Sequence, residues 1–190
     1  RLRMYVLRAK AQVTLLDLPI VGLLGTPVSA ASGQSVRLQG EDGRQLLLGP
    51  AADAARSSTA ARPRSDWQLA DIRAGIPTIA AATTGEFVPQ MVNLDLLGGI
   101  SFTKGCYTGQ EIVARMKYLG RVKRRMLRFS GAGIPPAAGA ALYAERGSVG
   151  QIVSSAPTET GCEFLAVVLL DEVEKAHHDV FNILLQVLDD

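Results

Sequence analysis

Little in this sequence could hold a metal or build a disulfide framework. It has two cysteines, Cys106 and Cys162, and two histidines, the adjacent His177 and His178. Cysteines 56 positions apart give neither a stapled scaffold nor the ligand spacing of a zinc site, so no metal is expected. A reducing cytoplasm is the default compartment for such a chain. Long apolar runs are scarce as well. The run near the C-terminus, Phe164 to Leu170, has 7 residues where a membrane helix needs roughly 20, so no membrane span is expected. The residues after Arg1 lack the basic, apolar, small-residue order of a secretory signal, which leaves either a missing start or a fragment.

What is present suits a folded chain. With 190 residues, 47% hydrophobic and 20% charged, it can bury a core, and its length fits one domain plus a fraction of another. The formal net charge of +2 hides an asymmetry. Arg115, Lys117, Arg121, Lys123, Arg124, Arg125 and Arg128 fall within 14 positions that contain no acid, leaving 13 basic and 18 acidic residues elsewhere. Such a run either guards a solvated strand edge or attracts a polyanion weakly. No aromatic residues alternate with these charges as a base-stacking platform would require.

Periodicity sketches the elements. Tyr5 to Leu16 reads as a helix end running into a strand, with Val13, Leu15 and Leu18 as its apolar positions. Arg44 to Leu48 reads as a second strand after the Asp42-Gly43 turn, and Ala51 to Pro63 as a surface connection containing a short helix. Ser65 and Gln68 have capping-box spacing, Trp67, Ala70, Asp71 and Ala74 recur at helical intervals, and Gly75 and Pro77 stop that helix. Thr108 and Glu111 repeat the capping spacing ahead of an Ile112, Met116, Leu119 stripe that ends at Gly120. From Val122 the texture changes. Met126 to Phe129, Ala141 to Tyr143, Val149 to Val153 and Phe164 to Leu170 alternate with Gly- and Pro-rich turns, the pattern of a small antiparallel sheet or barrel.

The stretch Lys104-Gly105-Cys106-Tyr107-Thr108-Gly109-Gln110-Glu111 carries the most chemistry. Cys106 stands two residues after a lysine and just ahead of an expected helix start, both of which favour a reactive thiolate; the alternative is an inert thiol packing a turn. Gly105 and Gly109 allow tight turns or close backbone approach to a ligand, and the helix start could receive a carboxylate or phosphate.

This octet, with Ile72 to Pro77, Phe87-Val88-Pro89-Gln90, Asn93-Leu94, Leu97 to Phe102 and Val113-Ala114-Arg115, resembles the YgfZ family of folate-binding, tRNA-modification proteins. That family is related to the glycine-cleavage T-protein, an aminomethyltransferase. A weaker likeness begins at Tyr5 to Lys10 and runs to about Val168. The resemblance implies an α+β fold: a partial T-protein-like folate-binding domain over residues 1–120, then a truncated antiparallel β-barrel over 121–168. It further implies tetrahydrofolate or a derivative as cofactor, a cytoplasmic location, and an accessory, non-hydrolytic role toward iron–sulfur enzymes that thiolate tRNA. Trp67 matches the tryptophan that lines the family's folate site, and Cys106 matches the signature cysteine, whose chemistry is open. Lys104, Gly105, Tyr107, Gly109, Gln110 and Glu111 complete the implied folate-binding set. The family's N-terminal segment, which supplies part of that pocket, is expected to be absent before Arg1.

The other end departs from this pattern. Val167 to Asp190 resembles the Walker B region of the second ATPase module of Clp/Hsp100 disaggregases, so residues 169–190 are expected to form a foreign strand–helix tail. In that likeness Asp171 would hold Mg²⁺ and Glu172 would orient water, with Val180, Ile183, Leu184, Val187 and Leu188 on one helix face. The sequence contains no G-x-x-x-x-G-K-[ST] loop to cradle phosphates, so the tail alone cannot hydrolyse ATP. Three functions are therefore open: the folate-binding accessory protein, a T-protein-like one-carbon transferase, and a fragment of a Clp-type ATPase. The T-protein family normally lacks cysteine in its corresponding Lys-Gly turn, which favours the first.

Overall fold

The computed structural model describes residues 12–25, 28–29, 35–38, 43–120, 122–144 and 147–170. These fall into two compact units that divide between Ala61 and Arg62. The division lies inside the 1–120 span, and residues on both sides of Gly120 belong to the second unit.

In the first unit, β1 (Ile20–Leu23), β2 (Ser35–Arg37) and β3 (Gln45–Leu48) form an antiparallel sheet with β3 in the middle. The strand expected after Gly43 is β3, and β1 and β2, of four and three residues, are additional to the expected strands. The strand expected around Val13, Leu15 and Leu18 does not form. Residues 12–19 are irregular, Leu15 is 93% exposed, and no described strand pairs with them. Tyr5 to Ala11 lie outside the described residues. Gln45 is buried, and its amide takes the place of a further strand pairing. Its Oε1 accepts from the Val28 N–H at 2.9 Å and its Nε2 donates to the Val28 carbonyl at 3.0 Å. The alanine-rich stretch read as a surface connection is α1 (Pro50–Ser58), which opens on a proline in the first turn, where its missing N–H costs nothing. Ala52 and Ala55 are buried with Leu47, because small side chains let the helix approach the strand closely.

The second unit opens with α2 (Arg64–Arg73). The capping box does not form, since Pro63 occupies the cap position, Ser65 is already helical, and no side chain caps the helix. The stop is as expected. Gly75 takes φ 66°, the Ile76 N–H bonds the Asp71 carbonyl at 2.8 Å and the Gly75 N–H bonds the Ile72 carbonyl at 3.1 Å, a Schellman ending. Ile72 and Leu69 carry the inward face, while the expected Trp67, Ala70, Asp71, Ala74 stripe is half-buried.

Each of the four late apolar segments falls on one strand, with Leu170 just past the end of the last: β4 (Arg124–Gly131), β5 (Ala141–Ala144), β6 (Gly147–Pro157) and β7 (Cys162–Leu169). All pairings are antiparallel, in the order β4-β7-β6-β5. The sheet is open, with β4 and β5 at its edges, and does not close into the expected barrel. Closure needs pairing between first and last strands, which alternating apolar segments do not encode. Central β7 is apolar on both faces. Leu165 and Val167 join Ile72, Val92 and Met126 in one core, and Ala166 and Val168 join Ile152 in another, beside stacked Phe129 and Phe164 rings 5.5 Å apart. The described part of the Walker-B-like strand, Val167 to Leu169, is the end of this antiparallel β7. Asp171, Glu172 and the tail helix lie outside the described residues.

Candidate functional site

The signature octet forms an irregular loop from Lys104 to Gly109 and, with Gln110 and Glu111, the start of a third helix, α3 (Gln110–Tyr118). The expected Thr108–Glu111 capping box is absent. Gly109 caps the helix at φ 86°, a left-handed conformation costly for residues with a Cβ, and the Gln110 Oε1 reaches back to accept from the Tyr107 N–H at 3.2 Å. Within the loop, Ser101 Oγ accepts from the Lys104 N–H at 3.1 Å, and Lys104 Nζ stands 4.6 Å from the Tyr107 ring centre. Lys117 Nζ lies 3.6 Å above the Phe102 ring. Cation–π contacts therefore tie both lysines to aromatic residues of the same segment.

Helix α3 faces inward through Val113, not through the expected stripe: Ile112 is 60% exposed and Leu119 84%. The reason is a distant anchor. Gln90, on the 3₁₀ turn Pro89–Val92, is buried, and its Nε2 donates to the Val113 carbonyl at 2.7 Å. A buried amide left without this partner would be costly, so the bond helps to fix which side of α3 points inward. Gln90 is held in turn by Arg125, whose Nη1 donates to the Gln90 carbonyl at 2.8 Å and to Asp95 Oδ1 at 2.6 Å, while Nη2 donates to Asp95 Oδ2 at 2.9 Å. Burial works against ionisation of Asp95, but the hydrogen bonds and charge of Arg125 outweigh it and hold the carboxyl below its ordinary range. Asn93, left-handed at φ 60°, donates its Nδ2 to the Met126 carbonyl at 2.8 Å and so covers part of the β4 edge. The sequence named Gln90 only as part of a resemblance and passed over Asp95. The roles of both depend on partners at least 23 positions away.

The expected site residues are thus placed as follows. Lys104, Tyr107 and Gln110 meet in one loop. Lys104, Gly105, Cys106, Gly109 and Glu111 are exposed, and Tyr107 and Gln110 are half-buried. Trp67 stands half-buried on α2. Cys106 is exposed and Cys162 buried. The basic run is divided, because Arg125 is bound internally and Lys117 lies over Phe102. It does carry one exposed aromatic, Tyr118, which is 67% exposed at the end of α3. No helix among the described residues is long and apolar enough to cross a membrane. A separate cavity over the sheet is lined by none of the expected site residues.

Two comparisons bear on this arrangement. The chain is 35% identical over 161 residues to the tRNA-modifying protein YgfZ of Klebsiella pneumoniae (strain 342), a match that covers 78% of this chain and 49% of that protein. The chain spans about half the length of the curated relative it matches. Residues 137–190 match the AAA domain (Cdc48 subfamily) family. The described part of that segment contains β5, β6 and β7 of the open antiparallel sheet.

Proposed function

With the likeness to the tRNA-modifying protein YgfZ as premise, we propose that this chain belongs to the YgfZ family and serves tRNA modification as a cytoplasmic, folate-binding accessory protein of iron–sulfur enzymes. The observation that carries this reading is the 35% identity over 161 residues, which covers 78% of the chain. The chemistry of the donor set supports it. An indole such as Trp67 offers a large π-face for a pterin or aminobenzoyl ring. Lys104 offers a cation for the glutamate carboxylates of a folate, and Glu111 an acceptor for pterin N–H groups. Gly105 and Gly109 leave room for close approach, and Tyr107 and Gln110 hold the loop in shape. Cys106 is the exposed nucleophile of the set.

Trp67 is the chain's one tryptophan, so its fluorescence reports on one position. Titration with tetrahydrofolate, corrected for ligand absorbance, should change that emission saturably. Trp67→Ala, followed by calorimetry, should weaken binding by about 1–3 kcal/mol, the range for loss of an aromatic stacking partner. Unchanged fluorescence together with no measurable heat at saturating ligand would remove the folate reading for this chain.

A further inference from the structure

We infer that the cavity over the open sheet binds a small zwitterion of amino-acid size, with its carboxylate on Arg124 and its ammonium on Glu86. Strand register places Ala141, Gln151, Val167 and Met126 in one row across β5, β6, β7 and β4, so these residues share a sheet face. Above this row lies a cavity of about 260 Å³, lined by Ala141, Gln151 and Val167 and, from the preceding segment, by Phe87 and Met91. Gly139 and Ala82 abut at its side. A Cβ on Gly139, which has φ 85°, would stand 3.2 Å from both the Cβ and the carbonyl oxygen of Ala82.

Two charged side chains of opposite sign, Glu86 and Arg124, also line this space. Arg124 lies two residues from Met126 along β4 and so belongs to the same face. Neither Glu86 nor Arg124 makes an ion pair or a side-chain hydrogen bond among the described residues, with each other or with anything else. This contrasts with Arg73 and Arg125, which close on Glu163 and Asp95 at 2.6 Å. Two uncommitted opposite charges, over a mixed lining in which Phe87, Met91 and Val167 stand beside Ser148 and Gln151, complement a small molecule with one charge of each sign and a short apolar body. At about 260 Å³ the space suits a ligand of amino-acid size, and none of the residues of the folate set lines it. The inference therefore stands apart from the folate reading.

L-leucine is a suitable probe, with two analogues that each lack one charge: 4-methylpentanoate and 3-methylbutylamine. Nuclear magnetic resonance titration of the chain should show saturable leucine binding that shifts the amides of residues 86–91 and 148–151, with each analogue at least tenfold weaker. Arg124→Gln should weaken leucine and 4-methylpentanoate tenfold or more. Glu86→Gln should weaken leucine and 3-methylbutylamine while leaving 4-methylpentanoate unchanged. Both positions are exposed, so both variants should fold, and the amide spectra report whether they do. Absence of saturable leucine binding, binding of either analogue as tight as that of leucine, or indifference to either substitution would overturn the assignment.

Discussion

In β7 every side chain from Leu165 to Val168 is buried, whereas from Lys104 to Glu111 only Tyr107 and Gln110 are even half-buried. The two stretches stand for two uses of sequence. In the sheet, residue type is set by packing on both faces, so almost nothing is left to meet a ligand. In the loop, packing fixes very little, yet the backbone is held by Gly109, by the Gln110 reach-back and by the Gln90 anchor behind α3. Exposed, chemically capable side chains on a well-anchored support are what a recognition loop requires. The contrast teaches that the loop is shaped by a few local polar bonds and by a long-range anchor on the helix behind it, the sheet by many apolar contacts, and that the two should respond to different perturbations.

The largest expected difference is in thiol chemistry. A maleimide or iodoacetamide reaches Cys106 directly, while Cys162 reacts only when the end of β7 opens. Opening a packed central strand costs much of the global stability, so labelling at Cys106 should be faster by at least about a hundredfold. Peptide mass spectrometry over a time course at several pH values measures both rates in one sample. Comparable rates would mean that β7 frays readily, and the contrast between the regions would fail at its most basic point.

The same contrast explains which features could be read from the residues. The four strands of the second unit were legible because each is an apolar segment bounded by turn residues, a signal local to the segment. Closure was not legible, because it depends on which strands meet. The caps at Ser65 and Thr108 have the right spacing, but Pro63 and the left-handed Gly109 take the cap positions instead. The inward side of α3 could not be read from its own stripe, because Gln90 sits 23 residues away from the carbonyl it bonds. The octet itself was plain from its motif. What its side chains touch was not: the contacts of Lys104 with Tyr107 and of Lys117 with Phe102 depend on how the loop folds back. The cavity was invisible for the same kind of reason, as its lining comes from separate segments of the chain.

Next in size is the polar anchor. Arg125→Met should cost about 1–3 kcal/mol in chemical denaturation, the range for leaving partly buried acceptors without a donor. The acceptors stranded are the Asp95 carboxylate, 18% exposed, and the Gln90 carbonyl. The pH dependence gives a second handle. The folded Asp95 carboxyl titrates below its ordinary range, so the unfolded chain takes up its proton first as pH falls. The stabilisation is fully present above the unfolded value of about 4 and disappears as pH drops through the folded one. The variant should lose that acid-side slope along with the stability. A variant as stable as the parent, with the slope intact, would show that Arg125 does not hold Gln90 and α3 in place.

The smallest expected effect tests the orientation of α3 most finely, because it compares adjacent residues. Val113 is 5% exposed and Ile112 is 60% exposed, although Ile112, with Met116 and Leu119, forms the stripe that periodicity would turn inward. If the helix sits as the Gln90 bond dictates, Val113→Ala removes two buried methyl groups and should cost about 1–2 kcal/mol at roughly 0.8 kcal/mol per buried carbon. Ile112→Ala removes a larger side chain that already faces water and should change stability by no more than about 0.5 kcal/mol. The smaller deletion should thus do the greater damage, an ordering that residue size alone would reverse. Denaturant midpoints for the two variants and the parent, compared at equal slope, suffice to read it. The opposite ordering would place Ile112 inward, and α3 would have to turn about its axis, carrying the end of the signature loop with it.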